Sequence, residues 1–372
     1  MKIAAIETFA IKVPFTFGGK PGGFARWTSN DTLLVKVQTD TGIVGWGDAF
    51  CYGCMDSVRA AVHGMIEPRV IGRDARDIAR LSYELQQALH LHGRYGITIF
   101  ALSGLDIALW DIAGKAANLP LHRLLGGAGQ TSLPAYASLL KFRDPELVAA
   151  RTRLAIQQGY RYVKLHETEE AEVRAAREAA GNGVPIMVDT NCPWTPEQAR
   201  QMTLKLRPYD LYWLEEPIFP PEDFPAIARL REGTGVAMAS GENLCTAVQF
   251  RDMFAANAVD YAQPSVTKVG GIGEMKKIAT LAAAANVTFV PHSFYFGPGL
   301  AATLHVAAST PGVPFVEMPP GELAAPLLET PIRVDGGTVT PPSRPGLGAD
   351  PDPAVLRMYA YSPEAVRPFY LT

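Results

Sequence analysis

Three runs within residues 185–242 decide the fold: Pro185-Ile-Met-Val-Asp-Thr190, Leu211-Tyr-Trp-Leu-Glu-Glu-Pro217 and Val236-Ala-Met-Ala-Ser-Gly-Glu242. Each is short and apolar, each closes on a carboxylate, and an amphipathic helical stretch separates it from the next. Asp189, Glu215 and Glu242 stand 26 and 27 residues apart. One strand, one helix and two short loops use about 25 residues, so these carboxylates occupy equivalent places, the carboxyl ends of successive parallel strands. The same grammar extends backward to YRYVKLH (160–166) and LPAYASL (133–139). It extends forward to YAQPSVT (261–267), VTFVPHS (287–293) and FVEMPP (315–320). Eight such runs predict an α/β chain with a closed TIM-type barrel over residues 128–326.

The flanks read differently. Residues 1–127 begin with alternating apolar runs and a turn at Asp40-Thr-Gly42, then change to helical periodicity from Ser57, with the clearest helix at 98–117 before Pro120. That predicts an α+β cap. Its Gly- and aromatic-rich stretch, Pro14 to Ser29, is expected to be a functional loop. The segments Phe15 to Trp27 and Phe50 to Met55 are expected to close over the barrel mouth. Lys20, Arg26 and Trp27 suit a lid for an anionic substrate. The Pro/Gly-rich end, residues 327–372, is expected to return to the cap.

Composition narrows the function. The 34 Lys+Arg and 37 Asp+Glu give a net charge of −3, which removes the electrostatic case for nucleic acid or an anionic membrane as partner. Apolar stretches such as Ile278 to Val287 fall short of the roughly 20 residues a membrane span needs. Glu7 interrupts what a signal peptide would keep apolar, so a soluble cytoplasmic protein is expected. Four cysteines make no disulfide framework. Cys51-Tyr-Gly-Cys54 has redox or half-zinc spacing but no companion ligands, and reads as a pair of loop cysteines.

The chemistry is expected where the runs end: Lys164 and His166, Asp189, Glu215, Glu242, Lys268, His292 and Glu317. Alternate strand residues share a face, so Lys164/His166 and Asp189/Asn191 both reach the mouth. Asp189, Glu215 and Glu242 repel one another unless a cation joins them, and an all-oxygen set selects Mg²⁺. Alternation sends Glu216 to the side opposite Glu215, so only one of the two is a ligand, and the pattern does not choose between them. Strand two lies across the ring from strands six and seven, which gives a metal-held substrate nitrogen bases on both faces. That suits removal of a proton next to a carboxylate, with the cation stabilising an enolate. His305, on the apolar LAATLHVAAS helix, reads as a core histidine.

These residues resemble the enolase superfamily, and within it the mandelate racemase/muconate lactonizing enzyme group, over essentially the whole chain. Thr39-Asp-Thr-Gly-Ile-Val-Gly-Trp-Gly-Asp48 is similar to its cap motif, which usually closes on Glu. The signature helix is matched by ALSGLDIALWDIAGK (101–115) and LLGG (124–127). Val188-Asp189, Leu214-Glu215-Glu216-Pro217 and Ser240-Gly-Glu242-Asn243 resemble the three metal-ligand motifs, with Glu215 the ligand of its pair. The resemblance implies a modified (β/α)7β barrel, an α+β cap completed by the C-terminal segment, Mg²⁺, an enolate intermediate and a symmetric homo-oligomer. Two places depart from the pattern: Lys164-Leu-His166 replaces Lys-x-Lys, and Ser265 stands where racemases pair an Asp with the strand-seven His.

The expected reaction is therefore α-proton abstraction from a small hydroxycarboxylate, foremost acid-sugar dehydration. The alternatives are a hydroxy-acid racemase or epimerase, a muconate-type cycloisomerase using Lys164 and Lys268, and, from another class, a catalytically silent binding or assembly protein. Lys164 is expected as the main base, with His166 lowering its pKa or positioning the substrate carboxylate. His292, lacking a carboxylate partner, is expected as the acid toward a departing hydroxyl. Glu317, protonated, is expected to hydrogen-bond the enolate oxygen, and Asn191 to bind substrate.

Overall fold

A computed structural model describes residues 1–17, 20–21, 29–127, 132–319 and 321–362. The opening strand, Ile3–Phe17, pairs antiparallel with Ser29–Thr39, which pairs in turn with Val44–Ala49. The strand continues past Pro14 and folds back onto Lys20–Pro21, so the expected loop starts later than its glycines imply. Buried Phe15 accounts for the extension, because its ring packs 5.5 Å from Phe296 and 6.3 Å from Phe294 of the barrel. Arg26 and Trp27 lie outside the described residues, as does the side chain of Lys20.

The helix Ile97–Ala117 lies directly on the strand Val44–Ala49. Gly45 and Gly47 make that contact possible. A Cβ on Gly47 would stand 1.9 Å from the Gly104 carbonyl oxygen, and one on Gly45 would stand 2.1 Å from that of Ala108. By length and composition this helix could cross a membrane, which corrects the expectation that no stretch is long enough; here it is mostly buried as the spine of the cap core.

The barrel strands, β1 to β8 below, are Leu133–Ser138, Val163–Leu165, Ile186–Asp189, Leu211–Glu215, Met238–Ser240, Tyr261–Ala262, Thr288–Phe289 and Val316–Met318. Parallel ladders join them in order from β1 to β7, and β8 pairs with β1. Between β7 and β8 no ladder pair forms among the described residues; there Ser293 N donates to Glu317 Oε2 at 2.7 Å.

Tyr136, Met187, Trp213, Val290 and Phe315 fill the interior. Two residues further along the same strands and their extensions stand Ser138, Asp189, Glu215, His292 and Glu317. The period of two thus puts a charged layer directly on an apolar floor.

The C-terminal segment divides its contacts, where the sequence pointed to the cap alone. Thr338–Val339 pairs antiparallel with the start of β1. Leu327, Val355 and Leu356 pack with Ile11, Val13 and Leu34 of the cap, and Ala360 bridges to Ile11.

Candidate active site

Carboxylate oxygens of Asp189, Glu215 and Glu242 lie within 4.8 Å of one another at the ends of β3, β4 and just past β5. Trp213 Nε1 orients Glu215 by donating to its Oε2 at 2.9 Å. Asn191 lies beyond the strand in a left-handed conformation, and its backbone N and Nδ2 donate to Asp189 Oδ1 at 2.9 and 3.0 Å. The amide donors expected to bind substrate therefore orient Asp189. Burial and the neighbouring Asp189 charge raise Glu215 well above the usual carboxylate range. A divalent cation would relieve that like-charge strain, and three hard oxygen donors fit one.

Lys164 is fully buried beneath this cluster. Its Nζ lies 2.9 Å from Glu317 Oε1, 3.0 Å from Glu215 Oε1 and 3.3 Å from Asp189 Oδ2. Burial alone would lower its pKa, but Glu215 and Glu317 outweigh it and hold the ammonium well above the usual lysine range. These three carboxylates favour the ammonium form of Lys164, against the deprotonated base expected. The same holds for Glu317. Burial favours its neutral form, yet Lys164, His292, Ser138 Oγ and Ser293 N pull its pKa down to about 2, which favours an acceptor over the protonated donor expected.

His166 has 17% of its side chain exposed where Lys164 has none. Its Nδ1 donates to the Leu139 carbonyl, and its Nε2 lies 3.2 Å from Asp189 Oδ2. Across the ring, His292 Nε2 is 2.8 Å from Glu242 Oε2. Its Nδ1 is 3.3 Å from Ser265 Oγ, which in turn bonds the Tyr295 hydroxyl. Lys268 Nζ is 3.6 Å from Glu242 Oε1, 3.2 Å from Asn243 Oδ1 and 4.3 Å from the centre of the Phe50 ring. The cap segment beginning at Phe50 thus meets the mouth over Lys268, and Tyr52 OH donates to the Phe294 carbonyl at 2.9 Å.

Glu216 departs from alternation. Its φ of 45° turns it back toward the mouth, where Asn243 Nδ2 donates to its Oε2 at 2.8 Å and Cys192 Sγ to the same oxygen at 3.5 Å. Burial, then Glu242 and Asp189, raise its pKa well above normal.

The same mouth holds groups the sequence reading passed over: Ser138, Lys141, Glu167 and Tyr295. Ser138 was detectable, standing two residues after Tyr136 on a run whose other members are apolar. Lys141 lies beyond the end of its run and gave no periodic signal. His305 is a core histidine as read: its Nε2 donates to the Leu347 carbonyl at 3.0 Å, and burial lowers it to about 4.

Two family models cover the chain: "Mandelate racemase / muconate lactonizing enzyme, N-terminal domain" over residues 6–126 and "Enolase C-terminal domain-like" over 146–355. The chain belongs to the enolase superfamily. As a member of its mandelate racemase/muconate lactonizing enzyme family, it is similar to the arabinonate dehydratase of Saccharolobus solfataricus, at 32% identity over 86% of this chain and 87% of that protein. It is equally similar to the D-galactarolactone cycloisomerase of Agrobacterium fabrum, at 32% identity over 94% and 96% of the two. Among solved structures, a Streptomyces coelicolor racemase with bound magnesium superposes with a TM-score of 0.85, at 28% identity over 96% of this chain and all of that one. This superfamily member is an enzyme, a lyase or an isomerase, on an α/β barrel with an N-terminal cap.

Proposed function

We propose that the chain dehydrates an acid sugar, a small polyhydroxy carboxylate, with Mg²⁺ held by Asp189, Glu215 and Glu242. The reading is carried by two imidazole Nε2 atoms, of His166 and His292, that flank the carboxylate cluster from β2 and from beyond β7. Bound there, Mg²⁺ would neutralise charge on the substrate carboxylate and so acidify its α-hydrogen. His166, with its Nδ1 hydrogen fixed on Leu139, takes the α-proton at Nε2. Lys164 does not reach substrate; it holds Asp189, Glu215 and Glu317 together as their common counter-ion. His292 gives a proton to the β-hydroxyl, which leaves as water, and the resulting enol becomes the 2-keto-3-deoxy acid. Glu317, ionised, supports this step by holding the β7–β8 seam through Ser293 N. The expected lack of a carboxylate partner does not hold, since His292 Nε2 lies 2.8 Å from Glu242 Oε2; that carboxylate suits the imidazole to carry the proton it gives up in elimination.

The arabinonate dehydratase relative supports this reading. A cycloisomerase is the second reading, because the Agrobacterium relative is one. The muconate-type version with Lys164 as base loses support from that residue's burial. A small-molecule carboxylate partner, a homo-oligomer and a cytoplasmic setting belong to the same proposal.

Acid sugars incubated in D₂O with Mg²⁺ and followed by NMR test it. His166→Asn is expected to abolish α-deuterium exchange, and His292→Asn to lose the dehydrated product while keeping exchange. Exchange that survives in His166→Asn, or that is lost from both α-epimers in His292→Asn, would sink the assignment.

A further inference from the structure

Among the described residues three lysines stand at the mouth, and two are already engaged. Lys164 has three carboxylates; Lys268 has Glu242, Asn243 and the Phe50 ring. Lys141, half-buried just after β1, makes no hydrogen bond or ion pair among the described residues. It lies in the loop that follows β1 at the carboxyl end of the barrel, two residues past Leu139, whose carbonyl accepts from His166 Nδ1.

This lysine sits on a turn held in one shape. Glu167, itself buried, accepts from Phe142 N at 2.5 Å and from Arg143 N at 3.2 and 3.3 Å. Arg143 takes a φ of 52°, a conformation L-residues rarely hold without such support. Phe142 is buried in the barrel core, and the Leu139 carbonyl at the other end of the turn accepts from His166 Nδ1. Three anchors thus fix residues 139–143 next to His166 while leaving the Lys141 ammonium unpaired. A half-buried ammonium gains most from a full opposite charge, since a charge pair in a partly desolvated site exceeds a hydrogen bond to a neutral hydroxyl.

We propose that Lys141 binds a second anionic group on the substrate, at the end remote from the carboxylate held beside the metal ligands, so that the enzyme prefers dicarboxylic over monocarboxylic acid sugars. This rests on the reading of the site as one for acid sugars. Glu167 acts through the turn, as a positioning residue.

Galactarate and galactonate make a matched pair, since they share stereochemistry and differ only in a carboxylate or a hydroxymethyl at C6. Calorimetric titration of the Mg²⁺-loaded full chain is expected to give at least tenfold tighter binding of galactarate. Lys141→Met should erase that preference, moving galactonate affinity less than twofold, and Lys141→Arg should keep most of it. Glu167→Gln should weaken galactarate more than galactonate. Equal losses for both acids in Lys141→Met, or no galactarate preference in the wild type, overturn the proposal. Because binding needs no turnover, a galactarate preference without α-deuterium exchange from either acid would overturn the dehydratase reading and leave Lys141 in its role.

Discussion

Asp189 and Glu317 at the barrel mouth and Asp48 and Asp106 at the seam between cap and barrel are all buried, with opposite results. At the mouth Asp189 and Glu317 are held at about 2, although burial favours their neutral forms, because the Lys164 ammonium faces both. At the seam Asp48 accepts from Gly299 N at 3.3 Å, and Asp106 Oδ1 from Gly273 N at 3.1 Å, both donors lying in the first turns of barrel helices. No ammonium bonds either one, and burial raises both from 3.8 to about 7. Helix N-termini favour anions, but two backbone donors do not replace a counter-ion in a dry seam. Burial sets the cost of charge, and the balance of opposite and like charge decides whether it exists: Glu215, 3.0 Å from the same ammonium, is raised because Asp189 faces it too.

Removing the partner at the mouth should have the largest effect. Lys164→Met leaves three buried carboxylates without their ammonium and is expected to destabilise the metal-free protein by about 3–5 kcal/mol. Added Mg²⁺ should recover part of the lost Tm, and a variant as stable as wild type without metal would end the contrast drawn above. At the seam the effect is smaller and depends on pH. Between pH about 4 and 7 the unfolded chain releases the two aspartate protons while the folded chain keeps them, so stability falls as pH rises through that window. The Tm of wild type minus that of the Asp48→Asn/Asp106→Asn double variant should therefore decline from pH 4.5 to 8; a constant difference would refute it. The smallest effect is expected at Cys54, a free thiol half-buried in the cap loop. Cys54→Ser should shift stability by no more than about 0.5 kcal/mol and leave activity unchanged under reductant or zinc chelator.

Much of the barrel mouth was legible because a βα unit has a nearly constant length, so strand ends recur every 25 residues or so and carry their polar residues in phase. That placed Asp189, Glu215, Glu242, Lys268, His292 and Glu317 correctly around one ring. It did not reveal orientation past a strand end: Glu216 turns inward on a positive φ, and Asn191 bends back onto Asp189. Nor did it rank Lys164 against His166, since two residues on one face differ in depth, and depth depends on the layer beneath. The seam left a fainter trace. Asp106 and Asp111 interrupt an otherwise apolar helix, and each accepts backbone N–H groups from outside it: Gly273 for Asp106, Trp46 and Leu347 for Asp111. A buried aspartate in an apolar helix is a docking signal that apolar periodicity does not carry.

The strap that joins Ala10 and Lys12 to Tyr359 and Tyr361 also imposes an order on biosynthesis. The opening strand leaves the ribosome before the barrel does, and its outer partners, residues 322–323 and 359–361, follow the last barrel strand. Throughout translation of the barrel the nascent cap carries an edge with open backbone donors and acceptors, the condition that invites pairing with a neighbouring chain. A chain cut short between residues 319 and 358 would hold all eight barrel strands and still leave the outer edge of its opening strand without Tyr359 and Tyr361.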